Sequence, residues 1–170
     1  MREAFARLEA EGFIERGIKG GYFVPTLTNK DILEIIEVRI VLEGGAIERL
    51  VNLGLNTLRH LRTMREACEQ LERLIREDYL LGVAEADRRF HEALVTAAGN
   101  RRLTMLYQRA PLPIIHPEII TGIKWAERVQ KTHEEHRAIL DAILGGDVGG
   151  AKEQLRIHLN ERAFIPLYAQ

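Results

Sequence analysis

The chain has 170 residues, 46% hydrophobic but only 6% aromatic, and a net charge of −1. That length supports one full core, built mostly of Leu, Ile, Val and Ala, and the near-zero charge excludes a strong general attraction to nucleic acid or anionic membrane. The single cysteine, Cys68, excludes an internal disulfide, and no apolar run approaches the roughly 18 residues of a membrane span. With the charged, amphipathic start MREAFARLEAEG, which is unlike a signal peptide, this predicts a cytoplasmic protein.

Residues 2–11 read as a short helix with Ala4, Phe5, Leu8 and Ala10 on its apolar side, stopped by Gly12. Two short apolar runs, Phe13–Ile14 and Tyr22–Val24, flank a basic, glycine-bearing turn and predict a hairpin, with Pro25 ending its second strand. From Thr28 the pattern turns helical. Thr28 or Asn29 caps a helix through DILEIIEVRIVLEGGA, which Gly44-Gly45 should bend or interrupt before IERLVNLG. Asn56 is expected to cap the next helix, with Leu58, Leu61, Met64, Leu71 and Leu74 among its apolar positions. A helix over 79–98 ends at Gly99-Asn100, and RRLTMLYQRA begins another that Pro111 and Pro113 must kink or break. LPIIHPEII carries no clear assignment. A helix over Ala126–Leu144, a GGD turn and a last helix over Val148–Tyr168 complete the chain. The expected fold is all-α: a partial α/β fragment (1–25), a linker (26–29) and an antiparallel helical bundle (30–170).

The stretch ADRRFHEAL, residues 86–94, holds the chain's least expected residues. On a helix, Asp87 and His91 are offset by only about 40°, and their face also carries Val83, Phe90, Leu94 and Ala98. His136 interrupts the stripe Val129, Ile139, Leu140, Ile143 in the same way, and His158 interrupts Ala151, Leu155, Leu159. Either reading of one such residue alone is bland: a surface pair for Asp87 with His91, a core histidine bonded to a carbonyl for the others. Together, four unsatisfied polar groups would cost about 1–3 kcal/mol each, so convergence on one divalent ion is the better account. Three imidazoles and a carboxylate suit zinc first, and also nickel, manganese or iron. In an octahedral ion they leave two positions open for water or a small anion.

His133, one turn before His136, ranks second as a ligand. His60, between charged neighbours, reads as solvated, and His116 has no assigned role. Arg39 aligns with Ile32, Ile35, Ile36 and Leu42. It reads either as a salt bridge to Glu43 or Glu37, or as a guanidinium poised to grip the carboxylate of an effector.

The segment MREAFARLEAEGFIERGIKGGYFV resembles the end of the winged helix-turn-helix domain of GntR-type bacterial transcription regulators, covering the recognition helix and the wing. The motifs DILEIIEVRIVLEGGA, ADRRFHEALVTAAGN, EEHRAILDAI, GD and RIHL resemble the FCD effector-binding domain of the FadR subfamily. That family's Asp, His, His, His metal motif maps onto Asp87, His91, His136 and His158, with the family's 21 residues between the last two. The resemblance implies a homodimeric repressor or activator in which a carboxylic or sugar acid binds beside the metal and repositions the winged domains on a DNA operator. It implies DNA contacts for Arg2, on the recognition helix, and for Lys19 and Gly20, at the wing tip. It also implies about two more helices and a first strand ahead of Met1, so the chain as given is expected to bind its operator poorly. Family members commonly carry valine at this position, and a GTG valine codon read as a start would give this N-terminus; deliberate shortening or a truncated paralogue are the alternatives. One alternative reading is a metalloenzyme, because open metal positions also support hydrolysis or oxygen chemistry; another is a ligand-binding protein with no DNA role, arising from the truncation.

Overall fold

Residues 2–10, 14–17, 20–24, 28–109 and 123–163 are described by the computed structural model. Helix α1 (Arg2–Ala10) precedes a two-stranded antiparallel hairpin, β1 (Glu15–Arg16) and β2 (Tyr22–Phe23), with Glu15 opposite Phe23 and Arg16 opposite Tyr22. The first strand therefore lies after the predicted Phe13–Ile14 run. Its register is set by the turn, where Gly17 N–H donates to Gly21 O at 3.1 Å and Gly20 N–H donates to Gly17 O at 2.9 Å. Gly20 and Gly21 have φ of +87° and +84°, a left-handed conformation that glycine adopts without steric cost. Phe5 stacks on Tyr22 with centroids 4.8 Å apart, fastening the hairpin to α1.

The helical part consists of α2 (Asn29–Asn52), α3 (Arg62–Arg76), α4 (Leu80–Ala97), α5 (Arg101–Tyr107), α6 (Ile123–Leu144) and α7 (Val148–Ala163). Thr28 starts α2 with a capping box. Its hydroxyl accepts from Asp31 N–H at 3.2 Å, and the Asp31 carboxylate accepts from Thr28 N–H at 2.7 Å. Two end donors are thereby satisfied reciprocally, and the Thr28 bonds hold the Asp31 carboxyl below its usual range.

The expected break at Gly44-Gly45 does not occur, and α2 runs unbroken through both. Gly44 is buried against α7, where an added Cβ would stand 3.3 Å from Lys152 Cε. Its small size serves helix packing. Asn56 does not cap α3, whose N-cap is Leu61. Instead its Nδ2 donates to Ile143 O at 3.1 Å, serving the carbonyls that end α6. Leu58, expected among the apolar positions, is exposed. Asn100 caps α5 through Arg102 and Leu103 N–H. Helix α6 begins three residues before its predicted start. Pro25, Pro111, Pro113, His116 and Tyr168 lie outside the described residues.

Helix α3 packs mainly on α4, α4 on α2, α2 on α7, α7 on α6, and α6 back on α3. The five long helices thus close a ring. Leu50, Leu61, Leu94, Ile139 and Leu155 belong to the larger apolar cluster inside it. Leu71, Val83, Ala86 and Val129 form a smaller one. Along α4 and α6 the polar residues Asp87 and His136 fall between these two clusters. Among the described residues, no helix is long and apolar enough to cross a membrane.

Candidate metal centre

The alternation of apolar and polar positions on α4 buries Ala86, Phe90, Ala93 and Leu94, and carries Asp87 and His91 inward with them. Helix α6 does the same for His136 and α7 for His158. His91 and His136 are fully buried, His158 is 1% exposed and Asp87 4%. One ligand atom from each lies within 4.8 Å of those of the other three. His91 Nε2 is 3.0 Å from His158 Nε2, and His136 Nε2 is 3.2 Å from His158 Nε2. Asp87 Oδ1 stands 3.3 Å from His136 Nε2, 3.8 Å from His158 Nε2 and 3.9 Å from His91 Nε2. The ring of His136 stacks on Phe90 at 4.0 Å and 11°, which fixes its plane.

Two further carboxylates decide which nitrogens point inward. Glu43 Oε2, from α2, is 2.6 Å from His91 Nδ1. Glu135 Oε2, from α6, is 2.7 Å from His158 Nδ1. An ionised carboxylate only accepts, so each Nδ1 carries a hydrogen, and in a neutral imidazole this leaves Nε2 with a lone pair facing inward. Two lone-pair nitrogens 3.0 Å apart repel unless a proton or a metal ion lies between them. Metal–nitrogen bonds of about 2.0–2.1 Å place neighbouring donors roughly 2.9 Å apart in an octahedral ion and roughly 3.3 Å apart in a tetrahedral one, and the nitrogen separations of 3.0 and 3.2 Å fall between the two. A carboxylate behind a ligating imidazole is also the usual outer partner of such sites. The residues present therefore fit a divalent ion.

Glu43 has a second partner. Its Oε1 accepts from Arg39 Nε at 2.8 Å and stands 2.8 Å from Arg39 Nη2. Both side chains are buried, Glu43 completely. Burial alone would raise the Glu43 carboxyl, but Arg39 and then His91 outweigh it and hold it below the usual carboxylate range. For Arg39, burial works against the charge, while Glu43 more than compensates and the guanidinium stays charged. Arg39 also lies 5.4 Å from the centroid of the Tyr107 ring. Burial, then the neighbouring Glu43 charge, pushes the Tyr107 hydroxyl well above its ordinary range. Of the two readings of Arg39, the salt bridge to Glu43 is formed.

Neither Glu43 nor Glu135 is expected from the sequence as a ligand-orienting group. For Glu43 a signal existed: it lies four residues after Arg39 and seven after Ile36, on the stripe that continues through Ile47 and Leu50. His133 is buried but falls outside the four-residue cluster, and burial lowers its pKa. His60 is exposed, yet its Nε2 is 2.7 Å from Ala97 O. It borders a cleft of about 410 Å³ that Thr63, Met64, Arg89 and Glu92 also line. Arg2 opens α1 and Gly20 lies in the exposed hairpin turn. The Arg2 side chain and all of Lys19 are outside the described residues.

A helical ring preceded by a helix and a hairpin has known counterparts. Residues 34–161 match the FCD domain, and the chain belongs to the GntR-type transcriptional regulators that carry it. A Paenarthrobacter nicotinovorans protein named "Probable D-xylose utilization operon transcriptional repressor" is 30% identical over 172 residues, spanning 99% of this chain and 72% of that protein. The Escherichia coli (strain K12) HTH-type transcriptional repressor GlaR is 25% identical over 169 residues, spanning 94% and 74%. The fold is similar to that of E. coli McbR/YncC, with a TM-score of 0.80 at 21% identity over 95% of this chain and 80% of that one. The relatives are regulators, so the chain is read as a regulator and the metalloenzyme alternative is dropped.

Proposed function

We propose that the helical ring is the sensor of a metabolite-responsive regulator. It would hold one divalent ion, zinc first among the candidates, through Asp87 Oδ1 and the Nε2 atoms of His91, His136 and His158. The observation that carries this reading is the pair of carboxylates, Glu43 and Glu135, that turn two imidazoles so that their Nε2 atoms face each other at 3.0 Å. When bound, the ion would supply a Lewis-acidic anchor for an anionic oxygen. The protein's own groups do the rest. Phe90 and the apolar clusters above and below exclude water, and the two carboxylates hold the protons at Nδ1.

The effector class that suits such an anchor is a small carboxylic or sugar acid, with Arg39 as the guanidinium closest in kind to that task. The Paenarthrobacter relative is named for D-xylose utilization, and a sugar-derived acid falls within the same class. Effector binding would act on a homodimer, changing how the α1–hairpin units meet a two-fold operator. Arg2 would contact base edges, with Lys19 and Gly20 on the backbone or minor groove. A turn built on Gly20 and Gly21, exposed and free of Cβ atoms, suits close approach to a phosphate backbone.

Metal analysis of the purified protein is the test. About one divalent ion per chain is expected, with His136→Ala losing it and His133→Ala keeping it. Full occupancy in His136→Ala would sink the assignment.

A further inference from the structure

We propose that Glu43 is a positioning residue that joins Arg39 to the metal centre, so that whatever engages Arg39 alters metal affinity and metal binding alters Arg39. The proposal rests on reading Asp87, His91, His136 and His158 as the metal site, and adds to it a route by which that site is regulated.

The geometry is a three-member chain through one carboxylate. Oε1 of Glu43 takes Arg39 Nε at 2.8 Å with Nη2 at the same distance, and Oε2 holds His91 Nδ1 at 2.6 Å. All three side chains are buried, so the interactions are little screened; the Tyr107 hydroxyl is a further hydrogen-bond partner of Glu43. Arg39 and Glu43 share one helix, α2, at i and i+4, while His91 belongs to α4. Movement of the guanidinium must turn the carboxylate, and turning the carboxylate must tilt the imidazole or unseat its Nδ1 hydrogen. Glu135 makes the comparable bond to His158 from α6, and its charge is screened by a half-exposed lysine, Lys131, at 3.8 Å. The two orienting carboxylates thus differ. Glu43 is tied to a buried cation that an acid could also bind, whereas Glu135 sits near the surface. Thermodynamic reciprocity then requires that an acid drawing on Arg39 and a metal drawing on His91 feel each other through Glu43.

Zinc alone is a sufficient probe. Its affinity is measured by competition with a chromophoric chelator for the unaltered chain, E43Q, E135Q, R39M and the pairs R39M/E43Q and R39M/E135Q. E43Q and E135Q should each weaken zinc binding about tenfold or more. Arg39 bonds Glu43 and also feels the Asp87 charge. Losing that cation would by itself favour zinc, so the weaker binding expected in R39M reports the loosened Glu43. In R39M/E43Q the loss should be no greater than in E43Q, whereas R39M and E135Q should add, as independent sites do. A merely structural role for Arg39 would leave zinc affinity unchanged or add equally to both carboxylate variants, and either result overturns the proposal. So does an E43Q protein with unaltered affinity. If R39M does not fold by circular dichroism, R39K, which retains the charge but not the planar fork, replaces it in the same cycles. Zinc binding by the unaltered chain with a normal E43Q defeats this inference alone. Failure of the unaltered chain to bind zinc or nickel defeats the metal reading as well.

Discussion

Cys68 lies on α3 in the larger apolar cluster, 4% exposed, and burial pushes its thiol up to about 12. Only the thiolate reacts readily with disulfide reagents, so at pH 8 the folded chain should react with Ellman's reagent at least about a hundredfold more slowly than the chain unfolded in guanidinium chloride. Equal rates in the two states would show that α3 opens easily. At the same scale, Asp87, His91, His136 and His158 were legible in the sequence because each breaks an apolar helical stripe, and periodicity alone carries them inward. Arg39 was legible as buried by the same token. Its bond to Glu43 stood among the alternatives at i and i+4, but the second bond, from Glu43 to His91 on another helix 48 residues away, had no local signature.

Among the elements, α2 departs most from its sequence reading. Two glycines in the middle of a helix cost conformational entropy, about 0.5–1 kcal/mol each relative to alanine, and for that reason a break was expected. The two do not have the same role. Gly44 is pressed against Lys152, whereas an added Cβ at Gly45 meets nothing within 4 Å. Gly45→Ala should therefore stabilise the chain by about 0.5–1 kcal/mol, read as a higher urea midpoint at unchanged slope. Gly44→Ala should gain less, since the Lys152 side chain must shift and its ion pair with Glu48 with it. A larger gain at Gly44 than at Gly45 would contradict the packing account. Asn56 teaches a related lesson. Its side chain has the chemistry of a helix cap, and it serves one, but the helix end it serves is that of α6, distant in sequence and adjacent only in space.

For the whole molecule, the contact order around the ring sets α4 opposite α6 and α7, with the Asp87–His91–His136–His158 group spanning the middle. An ion held there ties three helices at a point where the two apolar clusters do not meet. Anything that binds only the folded state stabilises it by mass action. Free zinc at about a hundredfold over its dissociation constant should add about 2.7 kcal/mol, and raise the melting temperature by roughly 5–10 °C for a chain of this length. Excess chelator should reverse the shift, and His136→Ala should abolish it. A melting temperature indifferent to both zinc and chelator would remove the ion from the architecture.

Taken by itself, the sequence determined that the chain is a helical bundle behind a short α/β fragment, and most of the side chains that face inward, because burial on a helix follows a local period of 3.6 residues. It also carried the motifs of its family, which the match over residues 34–161 bears out. The tertiary structure alone decided that Glu43 and Glu135 stand behind His91 and His158, that α2 continues through its glycines, and that Asn56 closes a distant helix. Each of these depends on which helices lie side by side, and packing between segments far apart in the chain leaves no periodic trace in either of them.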